Sequence, residues 1–430
     1  MKNEFLEKFI NFLKNEGFIF QSNEIYGGVS GFYDFGPLGS LIKLNIKNLW
    51  LKDVVFSEKN VFLIDTSLIN PKVVFEASGH LENFFDILIE CKNCHLRFKK
   101  EEGEKCPDCG SSNLTKPRKF NLMFQTKIGS TGKIDGFLRP ETAQGVFVNF
   151  LNVLNSTRTK LPFGIANIGK SFRNEINPRN FIFRLREFEQ MELEFFTKPQ
   201  EADFWFNYWL EKRYNWYLSL GIKKENIKKV EIPKSELPHY SKRNVDLHYN
   251  FPFGFQEIEG LANRGDYDLK RHSEFSGKSL TYYDQKEKES YFPYVIEPSA
   301  GIERLVFAFL VDAFDEDEVD GKKRFVLRLN PKIAPIKFAV LPLLSNREEI
   351  VKLAQDIYDN LRKKFICVYD ENGSIGRRYR RQDEIGTPWC ITVDFESLEK
   401  KDVTVRDRDS TKQERIKIEE LEEFFLNKLK

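Results

Sequence analysis

In the opening stretch KNEFLEKFINFLKNEG, apolar side chains recur at helical spacing, and Gly17 stands where a left-handed residue would cap the helix end. A glycine-rich aromatic segment follows (IYGGVSGFYDFGPLG), then a second amphipathic pattern that predicts a helix from about Ser40 to Lys52. The run VFLIDTSLI reads as one strand leading to Pro71. FNLMFQT and GFLRPETAQGVFVNF return to strand-like patterning, and LPFGIANIGKSFRNEINPRNFIFRLREFEQMELEFF reads as strand, loop, strand. From about 198 to 245 the pattern is first helical (EADFWFNYWLEKRYNWYLSLG), then charged and irregular, and suggests a helical insertion. Alternation resumes in VDLHYNFPFGFQEIEGLANRGDYDL. A small-residue strand end, EPSAGIER, then feeds an apolar helix that closes near Phe314.

NPKIAP, at 330–335, breaks the periodicity and marks a boundary. Beyond it strands (KFAVLPLL, KFICVYD, WCITVDF, DVTVRD) alternate with helices (NREEIVKLAQDIYDNLRK, one around GRRYRRQDEIG, IEELEEFFLNKL), the pattern of a small open α/β sheet. Two units are expected, 1–335 and 336–430. A length of 430 residues supplies ample core for both. With 67 basic and 65 acidic residues the net charge is +2, so any nucleic acid must be gripped by local basic patches. No 18-residue apolar run and no signal-peptide pattern appear, and a soluble cytoplasmic protein without membrane partners is expected.

The chemistry concentrates in two strings. Phe172-Arg173-Asn174-Glu175-Ile176 opens the loop of the strand–loop–strand segment, which also carries Arg184 and Phe188; EPSAGIER delivers Arg304 to the start of the apolar helix. Guanidinium forks match phosphate oxygens bidentately and an aromatic face stacks on a purine, so this set suits a bent nucleoside triphosphate. The sequence has neither a GxxxxGK[ST] nor a GxGxxG loop, which argues against a P-loop or dinucleotide fold. Cys91, Cys94, Cys106 and Cys109 form C-x2-C-x11-C-x2-C, the spacing of a closed structural zinc site. Two disulfides or four free thiols are the alternatives, and a reducing compartment disfavours the disulfides. Cys367 and Cys390 sit in apolar strands and read as core. In the C-terminal unit Arg377, Arg378, Arg380 and Arg381 surround Tyr379, either a solvated helix face or a contact for unstacked RNA bases.

The arginine strings resemble the class II aminoacyl-tRNA synthetases. IYGGVSGFYDFGPLG, NPKVVFEASGH, FNLMFQT, RPETAQGVFVNF, IGKSFRNEI, REFEQMELEFF, EPSAGIER, YRRQDEIGTPWC and VTVRDRDS together resemble, in order from residue 25 to about 410, the homodimeric type of glycyl-tRNA synthetase. Glu303 departs from the aspartate common at that position, and the short four-cysteine segment is one that varies among relatives. The resemblance implies an α+β fold: a class II antiparallel-sheet catalytic core with a zinc-bearing insertion at 91–118, and a C-terminal α/β anticodon-binding domain. It implies ATP-dependent attachment of glycine to tRNA(Gly) through a glycyl-adenylate, with Mg2+, structural Zn2+ and a homodimer.

Residue by residue, it implies that Arg173 holds the α-phosphate, Arg184 and Arg304 hold the γ-phosphate, and Phe188 stacks on adenine with Arg304 on the other face. Asn174, Glu175, Phe183, Leu185, Arg186, Glu187, Glu257, Ile258, Gly301, Ile302 and Glu303 complete the ATP site, with Glu175 reading the adenine amino group and Glu257 near magnesium. Glycine would be held by Glu141, Glu192, Glu297 and Ser299, with Phe188, Glu189, Gln190, Met191, Pro298, Ala300 and Gly301 around it and Arg97 and Arg264 as further contacts. Arg377, Arg378, Arg380 and Arg381 would bind tRNA. Three other readings compete, of which a zinc-ribbon nucleic-acid-binding module explains residues 91–109 and nothing else. A same-subclass synthetase for serine, threonine or proline is disfavoured by RPETAQG and EPSAGIER. A non-catalytic synthetase-like nucleic-acid-binding protein is disfavoured by the retained Arg173, Arg184 and Arg304.

Overall fold

The computed structural model describes residues 2–319 and 321–430. Its centre is a seven-stranded sheet of β1 (Val61–Ile64), β2 (Phe163–Phe172), β3 (Glu187–Thr197), β4 (Ile227–Glu231), β5 (Arg243–Phe251), β6 (Gly254–Gly265) and β7 (Tyr294–Gly301). The spatial order is β4-β5-β6-β7-β3-β2-β1, antiparallel throughout except where β1 lies parallel to β2. The β2–β3 hairpin runs unbroken from Phe163 opposite Phe196 to Phe172 opposite Glu187, and lifts the arginine-bearing loop off the sheet.

Alternation divides the sheet into two faces. Met191, Leu193 and Phe195 of β3 pack in the main core with residues of the helices Pro37–Leu51, Ala202–Ser219 and Ile302–Ala313. On the other face Phe196 and Phe163 pack in a second core with residues of the helix Ala143–Thr157. Between that core and the hairpin loop, this second face stays open.

Four expectations are corrected, the first being that AQGVFVNF, read with the strands, opens the helix Ala143–Thr157. VFLIDTSLI is two strands in different sheets: β1, and Ile69–Pro71, which pairs with Ile134–Leu138. Residues 198–245 do not stand apart as an insertion. The helix Ala202–Ser219 packs on the sheet through Phe206, Trp209 and Trp216, and β4 forms the sheet edge. The charges that made IKKVE look irregular belong to an edge strand with exposed lysines, a common protection against further pairing. A hairpin, Phe314–Val319 with Lys322–Leu327, also escaped notice because its strands are charged.

The cysteine segment folds on a three-stranded sheet, Arg97–Lys99, Phe85–Glu90 and Arg118–Asn121. C-terminally, Phe338–Pro342 is flanked in parallel by Cys367–Tyr369 and Trp389–Val393, with Asp402–Asp407 and Gln413–Lys417 added antiparallel. Cys367 and Cys390 are buried in this unit, as expected of core residues. At the junction Lys337 donates to the carbonyls of Pro331, Lys332 and Ala334 at 2.9, 3.0 and 2.8 Å, and Asn45 donates to those of Ile333 and Ala334.

Candidate active site

The open face of β3 carries Phe188, Gln190, Glu192 and Glu194; on β7, Ser299 pairs directly with Glu192. Against β6, Ser299 lies opposite Gly260 and Glu297 opposite Ala262, so the floor beside these polar groups is built of small residues. With the β2–β3 loop and the start of the helix Ile302–Ala313 they bound a cavity of about 460 Å³.

One end is cationic. Arg173, Arg184 and Arg304 all line it, with Glu175, Phe183, Leu185, Phe188, Glu257, Ile258, Gly301 and Glu303. Arg304 Nη1 donates to Glu257 Oε2 at 2.9 Å, and Nε to the Phe183 carbonyl at 3.2 Å. Its guanidinium lies 4.3 Å from the Phe183 ring, whereas the guanidinium over Phe188 is that of Arg173, at 5.3 Å. The expected slot of Phe188 facing Arg304 is thus replaced by two cation–aromatic pairs side by side, because the loop brings Phe183 under Arg304. Arg184 approaches Glu175 Oε2 at 3.8 Å. That oxygen is buried without a hydrogen-bond partner among the described residues, an acceptor available to an amino group. Glu303 is anchored by Lys43 at 2.8 Å and by the Glu189 N–H at 2.9 Å.

The other end is anionic. Glu192 accepts from the Thr142 N–H at 2.9 Å, the Thr142 hydroxyl, Gln190 at 2.7 Å and Ser299 at 2.6 Å. Glu297 accepts from Arg264 Nη1 at 2.9 and 3.0 Å, and the rest of the Arg264 fork is bound by Asp268 at 2.8 and 2.9 Å. Glu141 lies 3.4 Å from His80 and 3.6 Å from Arg264. Burial opposes its ionisation, but His80 and Arg264 outweigh burial and hold its carboxyl below the ordinary range. Burial pushes Glu297 upward, Arg264 opposes that by pairing with the carboxylate, and Glu192 and Glu141 add repulsion.

The remaining expected site residues fall outside the cavity. Pleating turns Glu187 toward Lys170 at 2.9 Å, and sends Glu189 to Lys43 and Lys47 at 3.1 and 2.9 Å on the far face, where Met191 is core. Pro298 lies opposite Leu261; Ala300 and Ile302 are buried in the main core. Asn174 contributes its backbone, donating to the Leu122 carbonyl at 2.8 Å, and Arg186 ties Glu175 to Ser30 by donating to both carbonyls. Arg264 stands behind the carboxylates, 1 % exposed. Arg97 is exposed on the cysteine module, paired with Glu90 at 2.9 Å, and does not line the cavity.

Three further residues line the cavity without having been expected there, Tyr240 and Asn244 from the stretch that reads as irregular and Asp246 from the alternating segment after it. Tyr240 lies against Arg264, whose guanidinium is 3.9 Å from its ring. Asp246 pairs with Gly260 in the register, which the alternation starting at Val245 could have signalled. Burial, then repulsion from Glu257, raise its carboxyl to about 7. Asp246 and Glu257 are hard oxygen donors beside the cationic end, chemistry that suits Mg2+.

The four module cysteines have their Sγ atoms all within 4.8 Å of one another. N–H groups of Cys94 and Asn93 aimed at Cys91 hold its thiol at about 6 against the opposing effect of burial. Four converging soft donors fit a tetrahedral zinc ion. The arginine cluster fares differently. Arg378 is buried, donating to the carbonyls of Pro342 and, at 3.0 Å, Gly373; Arg381 pairs with Asp370 at 3.1 Å; Arg380 donates to the Lys323 carbonyl at 2.6 Å. Tyr379 turns inward, its hydroxyl 2.6 Å from Thr392. A surface of four arginines around an open aromatic ring is therefore not formed. Among the four, Arg377 alone has no such pairing among the described residues.

Residues 125–313 match the family described as tRNA synthetase class II core domain (G, H, P, S and T), and residues 337–428 match the anticodon binding domain. Over 99 % of its length the chain is 50 % identical to the glycine–tRNA ligase of Caldanaerobacter subterraneus subsp. tengcongensis, covering 98 % of that protein. It is likewise 50 % identical to the glycine–tRNA ligases of Malacoplasma penetrans and Borrelia hermsii, over 97 % of this chain and 96 % of each of theirs. Among solved structures, a Giardia lamblia prolyl-tRNA synthetase in complex with prolyl-adenylate superposes with a TM-score of 0.71 at 17 % identity, over 98 % of this chain and 75 % of that one. That likeness concerns the fold alone.

Proposed function

The chain belongs to the glycine–tRNA ligases, class II synthetases with an anticodon-binding domain, and from that premise we propose how its cavity serves the reaction. The enzyme attaches glycine to tRNA. In our reading glycine's carboxylate oxygen attacks the α-phosphorus of ATP, the bond to the bridging oxygen of pyrophosphate breaks, and the glycyl-adenylate then passes glycine to the tRNA terminus. Arg173 stabilises the charge that develops on the α-phosphate, while Arg184 and Arg304 hold the γ-phosphate so that pyrophosphate leaves in line. To receive it, Arg304 exchanges Glu257 for phosphate oxygens. Adenine rests on Phe188, with its amino group toward the Glu175 oxygen that Lys99 and Arg184 approach but do not hydrogen-bond. Magnesium, when bound, would neutralise the triphosphate, and Asp246 and Glu257 are the carboxylates that would hold it. No side-chain nucleophile is required; positioning and electrostatics do the work.

Glycine's ammonium sits at Glu192 and Glu297, with Glu141 nearby and Ser299, Gln190 and Ala262 as walls. The polarity of the cavity carries this reading: guanidinium groups at one end, carboxylates at the other, and small residues between. Arg377 is the tRNA contact retained from the cluster. Zinc, when bound, would be held by Cys91, Cys94, Cys106 and Cys109 and would serve the module as a structural ion. A homodimer belongs to the same proposal, supported by Leu63 on the edge strand β1 and Leu44 on the helix Pro37–Leu51, 47 % and 46 % exposed. Among the described residues no helix is long and apolar enough to cross a membrane. A cytoplasmic setting follows from the need for ATP and tRNA in one compartment.

Charging of total tRNA with each of the twenty amino acids, beside glycine-dependent pyrophosphate exchange by Arg173→Ala, tests the proposal. Glycine alone should be charged, and Arg173→Ala should lose exchange while remaining folded. Near-normal exchange would sink the phosphate assignment.

A further inference from the structure

Glu194 has no place in that account. It lies one pleat deeper than Glu192, fully buried, and does not line the cavity. Neither of its carboxyl oxygens has a hydrogen-bond partner among the described residues. The register sets it across from Glu297, between the pairs Glu192–Ser299 and Phe195–Ile296, and its neighbour on β2 is the apolar Ile165. One oxygen each from Glu192, Glu194 and Glu297 lie within 4.8 Å of one another. Among the described residues the charged groups that act on it most strongly are Glu297, Arg264, Glu192 and Asp268.

A further desolvated anion without a donor is untenable beside three carboxylates and one guanidinium. The group is therefore a neutral acid with an O–H to place. Glu192 is the poorer acceptor, because it already takes four donors: two from Thr142, and one each from Gln190 and Ser299, the two that line the cavity and yield to an incoming ammonium. Glu297 is the better one: both its oxygens share the single Nη1 of Arg264, which leaves lone pairs open.

We propose that Glu194 is a positioning residue of the glycine pocket, a neutral carboxylic acid whose O–H donates to the Glu297 carboxylate and keeps it charged and aimed at the glycine ammonium. The terminal torsion of a glutamic acid is soft, so rotation of the carboxyl closes the remaining gap. Burial, then repulsion from Glu297 and Glu192 against a pull from Arg264, raise Glu194 well above the ordinary carboxylate range, in keeping with the neutral form. The proton lies deep and the charge in front.

The inference rests on the placement of the ammonium at Glu192 and Glu297, so the test separates the two. In the full-length enzyme, glycine and ATP KM are measured by pyrophosphate exchange for Glu194→Gln, Glu194→Met and Glu192→Gln. Glu194→Gln keeps shape and a donor, and should leave the glycine KM within about 3-fold of wild type, whereas Glu194→Met should raise it at least ~10-fold with the ATP KM within about 2-fold. Glu194→Ala replaces the methionine variant if that does not fold. A glutamine variant that is unfolded, or as impaired as the methionine variant, overturns the proposal, because a charged carboxylate is then what the site needs. A methionine variant with the wild-type glycine KM overturns it too, and so does failure of both apolar variants to fold, which makes the role structural. If Glu192→Gln leaves the glycine KM unchanged, the ammonium placement itself fails.

Discussion

Replacing Arg264 by methionine separates the two ends of the cavity. The guanidinium is 1 % exposed and makes four charge-assisted contacts, two with Asp268 at 2.8 and 2.9 Å and two with Glu297 at 2.9 and 3.0 Å. Removing one member of a buried ion pair costs about 3–5 kcal/mol, since the partner is left uncompensated. Two partners are orphaned here, but the losses do not add in full. Burial disfavours the Glu297 carboxylate and Arg264 is what opposes burial, so without the guanidinium Glu297 takes up a proton and escapes much of the penalty; Asp268 bears the rest. A loss near the top of that range, about 5 kcal/mol, is expected at pH 7. A protonated Glu297 no longer attracts an ammonium. A charge-assisted contact is worth about 1.5–3 kcal/mol, which corresponds to roughly a 10- to 150-fold rise in the glycine KM. The ATP KM should move little, because no phosphate ligand touches Arg264. Urea unfolding followed by tryptophan fluorescence, with both KM values from pyrophosphate exchange, gives the answer. Stability within about 1 kcal/mol of wild type, or glycine and ATP KM rising together, would refute the reasoning.

In the C-terminal domain Arg378→Gln should lower stability by about 2–4 kcal/mol by stripping the buried Pro342 carbonyl and the part-buried Gly373 carbonyl of a charged donor, whereas Arg377→Gln should spare stability and raise the tRNA KM. Arg377→Gln should also flatten the salt dependence of that KM by a log–log slope of about 0.7, and an unchanged tRNA KM at every salt concentration makes Arg377 a solvated residue. Metal analysis without added zinc should find one ion per chain, and Cys106→Ser should lose it; a serine variant that keeps its metal counts against the site. Glu141 lies below its ordinary value of 4.5, so the stability it confers is full above 4.5 and is lost as pH falls through the lower folded value. Glu141→Gln should therefore be less stable than wild type at pH 7, and the gap should close as the medium is acidified below 4.5; a gap independent of pH contradicts the paired carboxylate.

Residues whose chemistry is carried by strand ends and tight turns were legible early. Arg173, Arg184 and Arg304 reach one cavity as expected, and so do Glu141, Glu192 and Glu297 from three separate strings. The cysteine knuckles needed only their spacing. What stayed hidden depends on packing partners. A continuous reading of residues 187–192 as ligands ignores the pleat, which gives Phe188, Gln190 and Glu192 to the cavity and Glu189 and Met191 to the far face. Arg97 suited a ligand set by resemblance, yet it stands exposed on the cysteine module.

From the chain alone came the arginine set and the cysteine knuckles, because functional-group chemistry and spacing are local properties; the α+β class and most other groups in the cavity came from the resemblance its strings carry. Only the tertiary structure decided that Arg378 and Tyr379 turn inward, that charged Ile227–Glu231 closes the main sheet, that Arg304 lies over Phe183, and that Glu194 is buried without a partner. Each of these is settled by which face of an element meets another element distant in sequence. A charged side chain reads the same in the sequence whether it meets water or a buried carbonyl, and only the fold says which.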